Sequence, residues 1–155
     1  MNSAWPAIAE LVPQKPPMVL LDEVVAHADE RTSCRVRVRP GIPFADVAGH
    51  VPVTVALEYM AQCAAVRSGL RRRAQGNGPV KVGFLIGTRA LRFHRRRFDS
   101  GSVLAVSVRD VWDDGELASF ACEVRDERDG ALAAECVLNA LIPKNPYDVP
   151  GVRPA

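Results

Sequence analysis

No stretch of the 155-residue chain approaches the ~20 consecutive apolar residues that a membrane-spanning helix requires, so no bilayer span is expected. The opening MNSAWPAIAELV has neither the basic start nor the small-residue cleavage site of a secretory signal, and the expected compartment is the cytoplasm. Its four cysteines, Cys34, Cys63, Cys122 and Cys136, include no CxxC pair and sit in apolar or alternating stretches. Reduced, buried thiols are therefore expected rather than disulfides. An excess of one charge is also missing: a formal net charge of +2 is too small to point to nucleic acid. Only the local runs Arg71, Arg72, Arg73 and Arg95, Arg96, Arg97 would suit an acidic partner. There is no G-x-S-x-G elbow, Walker loop or dinucleotide fingerprint, which sets aside serine hydrolysis and nucleotide chemistry. His27 and His94 have no partners at metal-ligand spacing, so both are expected at the surface and no metal is expected.

What remains is a globular composition, 48% hydrophobic and 25% charged, in a length that builds one core. A single domain over residues 1–143 is expected, followed by a proline-rich tail, 144–155, that lies on the surface or is disordered. Residues 52–73, PVTVALEYMAQCAAVRSGLRRR, read as one long helix that is apolar or small on nearly every face. Such a helix should be wrapped by the rest of the chain. Pro52 suits its first turn, and the three arginines at its end complement the negative pole of the helix dipole. Thr54, Glu58 and Gln62, spaced i, i+4, i+8, form a narrow polar stripe on one side. A carboxylate within an apolar helix needs a partner, a hydrogen bond or a proton, which makes Glu58 the leading functional candidate.

Around this helix the pattern changes to strands. Residues 5–11 suggest a short helix, ended by the prolines of Val12-Pro13-Gln14-Lys15-Pro16-Pro17. Residues 18–25 read as a strand. Over 32–39, Cys34, Val36 and Val38 alternate with Arg35, Arg37 and Arg39, the signature of a half-buried antiparallel strand. Residues 40–51 form a loop. Four strand-like segments follow the helix, 80–97, 103–112, 116–126 and 131–142, joined by Asp99-Ser100-Gly101, Asp113-Asp114-Gly115 and Asp129-Gly130. This order predicts an α+β fold, one curved antiparallel sheet around a long central helix. A sheet of this kind leaves edges, so two copies pairing edge to edge into a homodimer are expected.

Three stretches, PQKPPMVLLDEVV, ALEYMAQ and GFLIGTRALRFHRRRFDSGSVL, together resemble the hotdog-fold 3-hydroxyacyl-acyl carrier protein dehydratases. Within that family the chain is most similar to the dehydratase-like branch of aryl polyene biosynthesis clusters, over residues 10–143. The resemblance implies a hotdog fold and reversible dehydration of 3-hydroxyacyl chains to trans-2-enoyl thioesters. The chains would be carried by phosphopantetheine on acyl carrier protein, and no cofactor is implied. A homodimer or a trimer of dimers is implied as well. His50 and Glu58 match the catalytic pair, commonly contributed by different subunits across the dimer interface. One group must take a proton from C2 while the other protonates the departing 3-hydroxyl. An imidazole, with an ordinary pKa of about 6.5, suits the base role. A carboxyl group among apolar neighbours favours its protonated form and suits the acid role. Backbone N–H groups of Thr54 and Val55, in the first turn, would stabilise the enolate oxygen.

Two positions depart from the fatty-acid-cycle relatives. His50 lies only eight residues before Glu58, a shorter loop than theirs, and Pro13-Gln14 stands where many relatives carry Pro-His. These departures would permit a non-catalytic acyl-binding or heterodimer partner of an active dehydratase. Thioester hydrolysis is a third reading, since the hotdog scaffold hosts it too. Each candidate also has a structural alternative. Glu58 would then be a hydrogen-bonded carboxylate at a dimer seam, and His50 an ordinary loop histidine. Gln62 either fixes Glu58 or a substrate group, or satisfies a neighbouring backbone. Tyr59 and Met60 follow the helix period and read as core. Arg95, Arg96 and Arg97 either dock an acidic carrier protein or form a solvated strand end. Gly83, Gly87 and Gly101 mark turns or close backbone approach, and Gly87 beside Arg89 is a further candidate for lining the acyl channel.

Overall fold

The computed structural model describes residues 4–76, 78 and 81–145; the tail from 146 onward lies outside the described residues. A single 3₁₀ turn, Ile8–Glu10, opens the chain. Strands β1 (Glu23–His27) and β2 (Arg31–Arg37) come next, then a two-residue β3 (Val51–Pro52) and a 3₁₀ turn, Val53–Val55. The central helix α1 runs Ala56–Ala74. It is followed by β4 (Phe84–Phe93), a two-residue β5 (Arg97–Phe98), β6 (Val103–Asp113), β7 (Leu117–Asp126) and β8 (Leu132–Leu141). The six longer strands form one antiparallel sheet in the order β1-β2-β6-β7-β8-β4, while β3 pairs with β5 beside it. This is the hotdog architecture, one long helix on a curved sheet.

The alternation in β2 is realised in three dimensions: Cys34, Val36 and Val38 are buried, Arg37 and Arg39 are exposed, and Arg35 is half-buried. The partner faces of β6 and β7 supply Leu104, Val106, Val108, Phe120 and Val124. Helix α1 lies across β2, β6 and β7 and sinks Ala56, Tyr59, Met60, Cys63, Val66 and Leu70 into them. All four cysteines are free and buried. The Cys63 thiol donates to the Val106 carbonyl at 3.5 Å, and burial pushes its pKa far up, so it behaves as an inert core group.

Three expectations are corrected. The helix expected over 5–11 is only one 3₁₀ turn, because Ala7 offers no side-chain cap and the chain folds inward at once, burying Ile8, Leu11 and Val12. The strand expected over 18–25 begins at Glu23. Residues before it are drawn onto the helix instead, since Gln62 accepts from the Leu20 N–H at 2.9 Å and donates to the Met18 carbonyl at 2.7 Å. A side chain of α1 thus takes the place of a neighbouring strand. The strand expected over 80–97 breaks after Phe93: residues 94–96 bend and β5 leaves the main sheet to pair with β3. That small ladder, together with the Val53 N–H donating to the Arg96 carbonyl at 3.1 Å, ties the entry of α1 into a tight 3₁₀ turn.

Arg67 is fully buried near the end of α1. It forms a bidentate pair with Asp110 at 2.9 and 2.8 Å and donates to the Ala28 carbonyl and the Thr32 hydroxyl at 3.0 and 2.9 Å. It also donates to the Asp29 carbonyl, and Arg71 adds a second cation on Asp110. Burial alone would raise the Asp110 carboxyl, but the hydrogen bonds and charge of Arg67 and Arg71 outweigh it and hold the group below the usual range.

Candidate active site

The polar stripe runs from the 3₁₀ turn onto α1 and from solvent into the core: Thr54 is exposed, Glu58 half-buried and Gln62 completely buried. Every part of the Gln62 amide is engaged. Beyond its two bonds to the 18–20 segment, it donates to Glu58 Oε1 at 2.9 Å. The tethered segment brings a second amide to the same oxygen, Gln14, whose Nε2 lies 3.5 Å from Glu58 Oε1. Glu58 is therefore braced through one oxygen, while its Oε2 has no partner among the described residues.

Glu58 forms part of the wall of a slot of about 240 Å³ between α1 and the β7, β8 and β4 side of the sheet. Small residues of α1 make one wall, Ala61, Ala65 and Ser68; Phe84, Leu85, Phe120, Leu138 and Ala140 make the other, and Pro13 and Gln14 lie beside Glu58. The slot exists because α1 covers β2, β6 and β7 and leaves the far strands uncovered. Beyond Ser68, Arg72, Lys81 and Ile142 it adjoins a wider polar basin of about 720 Å³ that includes His27, Arg71, Asp113 and Glu116. Gly83 belongs to the slot wall; Gly87 sits instead beside Ile86 and Trp112 in a separate shallow groove.

The remaining candidates lie apart from this slot in the single chain. His50 follows Gly49, whose φ of +89° and tight approach to Pro40 and Ser100 admit no side chain. The His50 ring accepts the Ser100 N–H through Nδ1 at 3.1 Å and lies 3.7 Å from Asp99. Thr54 and Val55, in the 3₁₀ turn, do not line the slot of their own chain either. Arg95 and Arg97 are already paired, Arg95 with Asp126 at 3.2 Å and Arg97 with Asp99 at 2.9 Å, whereas the exposed Arg96 has no side-chain partner among the described residues. His94 is exposed and bonds Glu135 at 2.8 Å. His27, expected at the surface, is half-buried: it bonds the Thr32 hydroxyl at 2.8 Å and meets the Trp5 ring edge-on. Burial, with the charges of Arg67 and Arg71, pushes its pKa down. The sequence marked Gln14 only as a departure from the relatives' Pro-His, not as a neighbour of Glu58, and left Arg67 unmarked as a buried cation. Among the described residues no cluster of metal-ligating side chains occurs and no helix is long and apolar enough to cross a membrane.

The sequence matches the family model of the ApeP dehydratases over residues 6–150. The chain belongs to the ApeP-like dehydratase family. A chain of the dehydratase heterocomplex ApeI:P from Xenorhabdus doucetiae is 30% identical to it, with a TM-score of 0.85 over 91% of this chain and 93% of that one. More distant structures share the fold alone. The TT0310 protein from Thermus thermophilus is 19% identical over 83% of this chain and 97% of that one, with a TM-score of 0.60. Zebra fish thioesterase superfamily member 2 is 11% identical over 88% and 91%, with a TM-score of 0.63. No curated protein sequence matches the chain.

Proposed function

We propose that the protein, completed by a second subunit, removes water reversibly from 3-hydroxyacyl thioesters on acyl carrier protein to give trans-2-enoyl thioesters. The observation that carries this reading is Glu58, held through Oε1 by Gln62 with Oε2 unpartnered among the described residues beside an apolar slot, in a chain of a dehydratase family. In the reaction the acyl tail lies in the slot, Glu58 Oε2 gives a proton to the departing 3-hydroxyl, and a base takes the proton from C2. His50 of a second subunit is that base, since the imidazole of the same chain lies outside the slot. N–H groups of Thr54 and Val55 hold the thioester oxygen as it gains charge. The acidic carrier docks at the arginines 95–97, Arg96 being the one not already paired to a carboxylate. The chemistry needs proton carriers and no cofactor, and it runs in the cytoplasm, where the buried thiols stay reduced.

The second subunit is a further copy of the chain, joined through the edge strand β4 into a homodimer or a trimer of dimers. A second reading, in which the chain is the partner of a separate, active dehydratase, draws support from the similarity to a dehydratase heterocomplex and from the distance of His50 from the slot. One assay separates the readings. Purified protein is incubated with 3-hydroxyacyl carrier protein while enoyl formation and free-thiol release are followed together. Enoyl product that falls by about a thousandfold in Glu58→Gln and in His50→Ala, with folding intact, is the expected result. Thiol release without enoyl product would mean a thioesterase, and no turnover until a second protein is added would mean the partner role.

A further inference from the structure

One buried side-chain atom among the described residues has no hydrogen-bond partner: Oε1 of Gln14. An amide oxygen shut away from water without a donor is destabilising, and native proteins keep few of them. It belongs to a residue of the slot wall next to Glu58, on the same amide head whose Nε2 approaches Glu58 Oε1. Gln14 and Glu58 thus bring to the slot wall two oxygens, Gln14 Oε1 and Glu58 Oε2, that have no donor among the described residues; Oε1 is covered in the single chain, so a shift of the Gln14 side chain must open it to a ligand.

We infer that Gln14 is a substrate-binding residue whose Oε1 accepts the hydrogen of the 3-hydroxyl group of the acyl chain. This rests on the dehydratase reading above and adds to it the group that recognises the leaving hydroxyl. At the reacting end of such a thioester, the carbonyl oxygen and sulfur only accept; the 3-hydroxyl is the sole donor. With its hydrogen held by Gln14, the hydroxyl oxygen turns a lone pair toward Glu58. As the base takes the proton from C2, that C–H electron pair forms the C2=C3 double bond and the C3–O bond breaks. The oxygen takes the proton of Glu58 and leaves as water, still carrying the hydrogen bound to Gln14. An imidazole in the same place, once protonated beside a carboxylate, would offer only donors. The amide keeps its acceptor at every physiological pH.

The test uses two pantetheine thioethers, S-(3-hydroxyoctyl) and S-octyl, which have no carbonyl to acidify C2 and so survive the titration unchanged. Calorimetry on the full chain is expected to show the hydroxy compound binding about fivefold more tightly than its deoxy counterpart. In Gln14→Met, which keeps the length of the side chain and removes the acceptor, that preference should vanish. It should do so through weaker binding of the hydroxy compound alone, the deoxy affinity staying within about twofold. Gln14→Asn, which retracts the acceptor by one methylene, should behave the same way if the Met variant does not fold. A preference that survives both substitutions, a parallel loss for both compounds, or no preference in the wild-type protein would overturn the assignment. Because neither probe reacts, the outcome is independent of turnover. A wild-type protein that discriminates the hydroxyl yet dehydrates nothing removes the lyase reading and leaves Gln14 as the hydroxyl acceptor.

Discussion

Gln62 has no hydrogen-bonding group to spare: one amide joins Met18, Leu20 and Glu58 across a fully buried position. Replacing it by Leu leaves a buried N–H and carbonyl of the 18–20 segment unpaired and releases the brace on Glu58. Gln62→Leu is expected to lose about 2–4 kcal/mol of stability by urea denaturation and to lower turnover in the variant that remains folded. At this scale the sequence was informative wherever a residue contradicts its own element. Glu58 stood out because a carboxylate interrupts an apolar helix, and Gln62 because it repeats the same stripe. Gln14 gave no such signal, since it meets Glu58 from 44 positions away by a path that periodicity does not encode. Arg67 reads as the start of the basic helix end, yet its counter-charge was visible in principle. Asp110 continues the inward row Leu104, Val106, Val108, and an acid on that row requires a buried cation.

Strand β4 is ten residues long and forms the outer edge of the sheet, with Leu85, Ile86, Leu91 and Phe93 exposed. An apolar edge with open backbone groups pairs with another strand. Leu91→Asp, placed outside the slot, is expected to convert the proposed assembly to monomers, read by light scattering after size-exclusion chromatography. On the opposite flank, Arg67 joins α1 to β6 and to the turn between β1 and β2. Arg67→Met strands Asp110 with Arg71 alone and should cost about 3 kcal/mol in a urea titration. Elements with a regular period were legible: β2 from its alternation, α1 from its apolar mass, and the β6–β7 and β7–β8 hairpins from Asp114-Gly115 and Asp129-Gly130, whereas Asp99-Ser100-Gly101 joins β5 to β6 without pairing them. Residues 18–21 misled because an apolar run says only that a segment is buried; here it is fastened to a helix side chain rather than to a strand. The N-terminal segment is similarly fixed by a contact no local pattern reports. Gly69 lets the Leu11 backbone settle so closely on α1 that an added Cβ would lie 2.5 Å from its carbonyl oxygen.

Across the whole molecule, acid stability depends on carboxylates held by arginine. Asp126, 1% exposed at the β7–β8 turn, receives the Arg128 side chain and backbone N–H and the Arg95 guanidinium. Burial would raise its carboxyl, but the bonds and charge of Arg128 outweigh this and lower its pKa to about 2. In the unfolded chain the group titrates near 3.9, so between about pH 2 and 4 the unfolded state binds the extra proton. The stabilisation, about 2 kcal/mol, is complete above that window and lost as pH falls through it. Asp126→Asn should be less stable at pH 6, the gap closing toward pH 2 in urea midpoints collected across that range. A curved antiparallel sheet around one wrapped helix was readable from element order, and its identification as a hotdog fold came with the family resemblance. A homodimer was expected from the open sheet edges, and the pairing of His50 with Glu58 across it from the resemblance alone, since no pattern within one chain records where a neighbour's loop lands.

The slot beside Glu58 ends at Ser68, Arg72, Lys81 and Ile142, the residues it shares with the polar basin. A greasy sleeve with two cations at its far end becomes a measuring device if, as proposed, an acyl tail fills it. Short cargo would fit between Glu58 and Ser68, while a longer tail would drive its tip against charge and be disfavoured.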